Sequence, residues 1–222
     1  MEPHEFWQTI EPPHRFDGSR SQSNFYPAAF EDGRQLLLPI RPLADGEHAL
    51  ASLILNQASF EVVETLASQL AARLAPFQPE VIVGLPTLGL TLAAAVARQL
   101  GHSRYVPLGT SRKFWYEERL SVPLSSITTP EQAKRLYIDP RMRPLLEARR
   151  VALIDDVISS GASIRSGLAL LTLVGVEPVV IGAAMLQSER WRSALDEATV
   201  EKIRACFAAR LLRRTSAGTW VA

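Results

Sequence analysis

Apolar residues recur along this chain in short stretches that switch between two spacings. From Phe60 through Val63, Leu66, Leu70 and Leu74 they return every three or four positions, which predicts one buried helix face, and Pro76 and Pro79 stop the pattern. Val81-Ile82-Val83 is wholly apolar and β-branched, as a strand covered on both faces would be, and it runs straight into Gly84-Leu85-Pro86-Thr87-Leu88-Gly89. An Ala-rich helix follows, closed by Gly101, and Arg104 to Leu108 can form the next strand. Val151 to Ile154 repeats the buried-strand pattern and ends on Asp155-Asp156. A helix then runs from Ile164 to Val174, ended by Gly175, and Val179 to Ile181 is one strand more. In the tail, Val200, Ile203, Phe207 and Leu211 share one helical stripe.

Strands alternating with helices predict an α/β chain built on a twisted, mainly parallel sheet, with right-handed crossovers and a ligand site at the carboxyl ends of the strands. Residues 1–35 are rich in Pro, Ser, Gly and Asn without a sustained period, which predicts a loose N-terminal arm before a single domain over 36–222. Leu36 to Leu43, interrupted by Pro39 and Pro42, reads as an edge-type strand. Ser111 to Pro130 is polar, aromatic and charged by turns, a long loop by ordinary standards.

Composition narrows the classes. With 222 residues, 47% hydrophobic and 21% charged, the chain can bury the core of one compact unit. Its 24 basic and 23 acidic side chains leave a net charge of +1, so there is no global pull toward nucleic acid or an anionic membrane, and an anion site must be local. Cys206 stands alone, which excludes an internal disulfide, and the four scattered His lack zinc-site spacing. Met1 to Glu11 has no apolar leader, and no window reaches about 18 uninterrupted apolar residues. A cytoplasmic location is expected.

The segment that carries chemistry is Val151-Ala-Leu-Ile-Asp155-Asp156-Val-Ile158-Ser159-Ser160-Gly161-Ala162-Ser163. Two acids leaving a buried strand need partners, and ribose hydroxyls can supply them. Ser159 to Ser163 offers N–H groups, hydroxyls and a helix N-terminus suited to a phosphate dianion. The plainer reading is that Ser163 caps the helix and the acids decorate a turn. A second loop, Gly84 to Gly89, has the two glycines of a P-loop, but Leu90 stands where that motif needs Lys, which argues against an NTPase. Arg112-Lys113 opens the long irregular segment, followed by Phe114, Trp115 and Tyr116. The basic pair is either solvated or an anion ligand, and the aromatics either stack on a base or pack the loop.

The acid-pair segment resembles the 5-phosphoribosyl-1-pyrophosphate (PRPP) signature of type I phosphoribosyltransferases: an apolar strand, two acids, two apolar residues, then a small-residue loop ending in Thr or Ser. Gly33 to Leu43, followed by Asn56 to Phe60 and a helix, is similar to the hood-forming N-terminal part of adenine phosphoribosyltransferases. The resemblance spans roughly residues 25 to 186. It implies a hood subdomain drawn from 24–55 and the C-terminal segment. It implies that Asp155 and Asp156 hold the ribose hydroxyls and that Ile158 through Ser163 bind PRPP by its 5-phosphate. Leu85, Pro86, Thr87, Leu88 and Gly89 then form the pyrophosphate loop, and Arg112 and Lys113 are catalytic pyrophosphate ligands. Mg²⁺ is held mainly by PRPP, with Asp155 and Asp156 reaching it through water. Two departures stand out. The glutamate-containing loop motif of adenine enzymes has no counterpart, whereas Ser125 to Thr129 is similar to a stretch of xanthine enzymes; and the acid of hypoxanthine-guanine enzymes is replaced by Ser159.

The implied activity is Mg²⁺-dependent transfer of 5-phosphoribosyl to a nitrogenous base, with a purine closest in pattern, by a homodimer in nucleotide salvage. The rival is a non-catalytic PRPP-sensing regulator on the same fold. Balanced charge and the absence of a helix-turn-helix segment argue against nucleic acid as a partner. A third reading is an accessory domain that docks a partner protein.

Overall fold

A computed structural model describes residues 1–124 and 134–222. In chain order it contains β1 (Phe25–Ala29), β2 (Gln35–Pro42), β3 (His48–Ala51), α1 (Phe60–Leu74), β4 (Val81–Gly84), α2 (Gly89–Gln99), β5 (Val106–Pro107), β6 (Ser121–Pro123) and β7 (Arg135–Tyr137). There follow β8 (Val151–Ile158), α3 (Ala162–Leu173), β9 (Val180–Gln187), α4 (Glu197–Glu201), β10 (Ile203–Ala209), β11 (Leu212–Arg214) and β12 (Trp220–Val221). The expected class is present: β10-β9-β8-β4-β5 forms a five-stranded sheet whose neighbours all pair in parallel.

The two faces of this sheet explain its apolar strands. Val151 and Leu153 of β8 join one buried cluster with Leu170 and Leu171 of α3, while Ala152 and Ile154 join another with Leu66 and Leu70 of α1 and Val96 of α2. A strand buried on both faces cannot show polar alternation, which is why the run is continuous. α1 starts behind Ser59, whose hydroxyl accepts from the Val62 N–H, and its boundaries match the sequence pattern. Cys206 lies in the first-mentioned face's opposite cluster, with α1, donating to the Leu66 carbonyl at 3.2 Å. Burial pushes its thiol up to about 12, so it is an inert structural side chain.

A second sheet, β1-β2-β3-β11-β12, is antiparallel and draws on residues 25–51 and 212–221, the stretches from which the resemblance implies a hood. It is joined to the parallel sheet by buried Gln187, at the carboxyl end of β9, which donates to the Ala51 carbonyl at 2.8 Å. Among the described residues no helix is long and apolar enough to cross a membrane.

Four expectations need correction. The arm is not loose: Phe6 and Trp7 are buried in the main core, and Phe25–Ala29 is strand β1. β2 is not an edge; β1 pairs with its first part and β3 with its last, so each partner covers only a segment and the prolines are accommodated. The tail stripe is not a helix. Only Glu197–Glu201 is α-helical, and Ile203, Phe207 and Ala209 lie on β10, whose parallel pairing with β9 is non-local. The long segment after Ser111 carries β6, paired antiparallel with β7. Ser125 to Thr129 lies outside the described residues.

Candidate functional site

β8 continues through the acid pair to Ile158 rather than ending on it. Asp155 and Asp156 are 6% and 8% exposed, and the Asp156 N–H donates to Asp155 Oδ1 at 3.0 Å. Among the described residues no cation forms an ion pair with either carboxylate. Burial, reinforced by the charge of Asp156, pushes the Asp155 carboxyl well above the usual carboxylate range, and burial raises Asp156 as well. Such a pair is costly unless a ligand compensates it, by donating hydroxyls or by bringing a cation.

Beside it, Asp155, Val157 and Ile158 through Ile164 line a concavity of about 80 Å³. The turn at its base needs Gly161, which has φ 76° and sits over Leu195, Ala194 and the Trp191 carbonyl at 3.3–3.4 Å from where a Cβ would be. Gly161 is the N-cap of α3 and contributes no side-chain cap, while Ser163 is exposed in the first turn. The capping reading of Ser163 therefore fails. The only side-chain hydroxyl bonded within this turn is Ser160, which accepts from the Ala162 N–H at 3.3 Å. The first turn of α3 thus presents N–H groups toward an anion.

The loop after β4 reaches the acids from the other side. Leu85 N–H donates to the Ile154 carbonyl at 2.8 Å, the Pro86–Thr87 peptide is cis, and α2 begins at Gly89 with no side-chain cap from Leu88. A Cβ on Gly89 would lie 2.9 Å from both Asp155 Cα and Asp155 Oδ1 and 3.2 Å from the Asp156 nitrogen. Two of these three neighbours are backbone and cannot swing away. Gly89→Ala is therefore expected to cost about 1–3 kcal/mol in stability by overpacking, read by urea denaturation, and to displace the acid pair from its loop.

Arg112 and Lys113 are not gathered with these groups. Both are exposed; Arg112 lies 3.7 Å from Glu118, and no ion pair joins either residue to Asp155 or Asp156. Sequence reasoning passed over Asp139, which is 8% exposed and held at a pKa of about 2 by its hydrogen bonds from Arg141. It also left Trp191 as an ordinary structural or surface residue. It is fully buried beneath the Gly161 turn, its indole donating to the Ser188 carbonyl at 3.0 Å. No local motif marks either one.

The carboxylates fit a divalent cation only in part. Among the described residues no group of three or more His, Cys, Asp or Glu could cage a metal, so two acids can steady an ion but a ligand must supply most of its oxygens.

Comparison with known proteins bears on the family and the fold. Residues 51–207 match the family described as phosphoribosyl transferase domain. Over 115 residues the chain is 31% identical to the orotate phosphoribosyltransferase of Halorhodospira halophila, covering 51% of this chain and 46% of that enzyme. The chain thus matches about half of that relative's length. The adenine phosphoribosyltransferase of Thermoanaerobacter pseudethanolicus superposes with a TM-score of 0.56 at 21% identity, over 67% of this chain and 81% of that one. The Giardia lamblia enzyme complexed with 9-deazaadenine gives 0.55 at 16%, over 68% and 81%. At these identities the two structures establish a common fold.

Proposed function

The chain belongs to the phosphoribosyltransferase family, and on that footing we propose that it transfers the 5-phosphoribosyl group of PRPP to a purine base, releasing pyrophosphate. The observation that carries this reading is the buried, cation-free acid pair, set between an N–H-lined turn and the glycine that opens α2. A five-carbon sugar phosphate presents two adjacent hydroxyls and a dianion, the groups that an acid pair and an N–H-lined turn in one concavity can take. Asp155 and Asp156 accept from the two hydroxyls, which adds donors to two carboxylates that burial makes costly to ionise. Backbone N–H groups of Ser159 to Ser163 hold the 5-phosphate, and those of Leu85 to Gly89 face the pyrophosphate.

As the bond from C1 to pyrophosphate loosens, negative charge grows on the leaving group. Donors fixed before the reaction meet it without reorganising. Arg112, paired only loosely with Glu118 at 3.7 Å, and exposed Lys113 add cationic charge at the same end. Mg²⁺, when bound with PRPP, supplies further charge neutralisation. A homodimer belongs to the same proposal.

The purine reading rests on the similarity of residues 33–43 and 56–60 to adenine enzymes. Orotate is the second candidate, favoured by the 31% identical relative. Calorimetric titration of PRPP with and without Mg²⁺ tests the site itself. Wild type is expected to bind PRPP more tightly with Mg²⁺, and Asp155→Asn/Asp156→Asn to weaken that binding about 100-fold, the scale of two lost charge-assisted bonds. Equal binding by both proteins would remove the acid pair from the site.

A further inference from the structure

Three aspartates are buried among the described residues, and the proposed reaction uses only two of them. The third, Asp139, follows β7 and faces the start of the segment that carries Arg112 and Lys113. Its Oδ2 accepts from the Trp115 indole N–H at 3.2 Å, across 24 residues of sequence. Its Oδ1 accepts from the Arg141 N–H at 2.9 Å and from Arg141 Nε at 3.0 Å, while Arg141 Nη2 reaches Oδ2 at 2.6 Å. The guanidinium then lies over the Trp115 ring, 4.6 Å from its centroid. Tyr116 packs edge-on at 5.9 Å, and Phe114, next to Lys113, meets the indole at 4.8 Å while staying 95% exposed.

One part of this arrangement has an ordinary structural explanation. Asp139 caps the short 3-10 helix Pro140–Leu145 and neutralises Arg141. Neither task needs Trp115. Both the indole bond and the stacked guanidinium fasten a residue that is itself 40% exposed, between exposed Phe114 and half-buried Tyr116. Beside it, Gly109 and Tyr137 exchange backbone hydrogen bonds at 3.0 and 2.8 Å, so the neck of the segment is closed at two points. The cationic pair lies between this bridge and Trp115.

We propose that Asp139, together with Arg141, is a positioning residue that moors Trp115 and thereby fixes where Arg112 and Lys113 stand relative to the leaving group. This rests on the reaction proposed above. The mooring limits the excursions of a basic dipeptide whose chemistry depends on orientation, and a displacement of about 1 Å at such a place costs on the order of 10²-fold in rate.

Trp115→Phe separates the roles, because it removes the indole N–H while leaving the Asp139 cap and the Asp139–Arg141 ion pair intact. It is expected to lower kcat about 10- to 100-fold with KM for PRPP changed less than about 3-fold, and Asp139→Asn to do the same. In an Arg112→Ala/Lys113→Ala background, Trp115→Phe should cause no further loss, since the groups it positions are gone. An unchanged kcat in Trp115→Phe, or a loss that adds fully to that of the double alanine variant, would overturn the proposal. A readout independent of turnover is tryptic cleavage after Arg112 and Lys113, located by mass spectrometry. Both mooring variants should be cut there about 10-fold faster than wild type, through easier local opening. If wild type turns over no base yet this acceleration is seen, the mooring stands and the reaction assignment fails. An unchanged cleavage rate would sink the mooring itself.

Discussion

Asp155→Asn/Asp156→Asn should abolish base-dependent pyrophosphate release, by at least about 10²–10³-fold in kcat/KM, while making the folded protein more stable than wild type near pH 8. The two effects have one cause. Both carboxyls are buried without a cation partner among the described residues, and burial raises both above their ordinary values. A raised acid is protonated more readily in the folded state than in the unfolded chain. Its contribution to stability is therefore fully present below the ordinary carboxylate value of about 4 and is lost as pH rises through the elevated folded values. Asparagine has no charge to desolvate, so the variant's stability should be flatter over that window, with a gain of about 1–3 kcal/mol at its alkaline end. Urea denaturation at several pH values reads this directly. A variant that loses activity and stability together at pH 8 would mean that the pair is compensated within the protein and is not held open for a ligand.

The largest stability loss is expected at the other end of the chain. Trp7→Ala should cost about 3–5 kcal/mol, the range for removing a fully buried large aromatic side chain. Trp7 is 3% exposed; its indole donates to the Ser52 carbonyl at 3.0 Å, at the exit of strand β3, and its own carbonyl accepts from the N–H of Ser59, the cap of α1, at 3.0 Å. One residue thus fastens the antiparallel sheet to the helix that backs the parallel sheet. Trp7→Phe keeps most of the packing and loses the indole bond, so it should recover more than half of the loss. Denaturation midpoints of the two variants measure the difference. A cost under about 1 kcal/mol for alanine would mean that the arm is peripheral.

These residues also show where sequence stopped informing. Phe60 to Leu74 was legible because helix periodicity and the terminal prolines are local signals that agree. The acid-pair segment was legible for the same reason: strand, acids and small-residue turn follow one another without a gap. Trp7 was not, because its burial depends on Ser52 and Ser59, far along the chain, and Phe6-Trp7 is too short an apolar stretch to show a period. Ile203 to Ala209 misled through a chance three- and four-residue spacing of apolar side chains; the exposed edge of β9 made it a strand. Arg112 and Lys113 were found as types but not as places. Both are exposed with no ion pair to the acids, on a segment tied through Trp115 to Asp139, which no motif signals.

The central claim is that this fold turns over PRPP. Its most direct test is pyrophosphate release from PRPP and Mg²⁺ with adenine, hypoxanthine, guanine, xanthine, orotate and uracil offered singly, wild type beside the acid-pair variant. Release that depends on one purine and vanishes in the variant is the expected result. PRPP binding without release on any base would contradict the enzyme and leave a PRPP-sensing protein in its place.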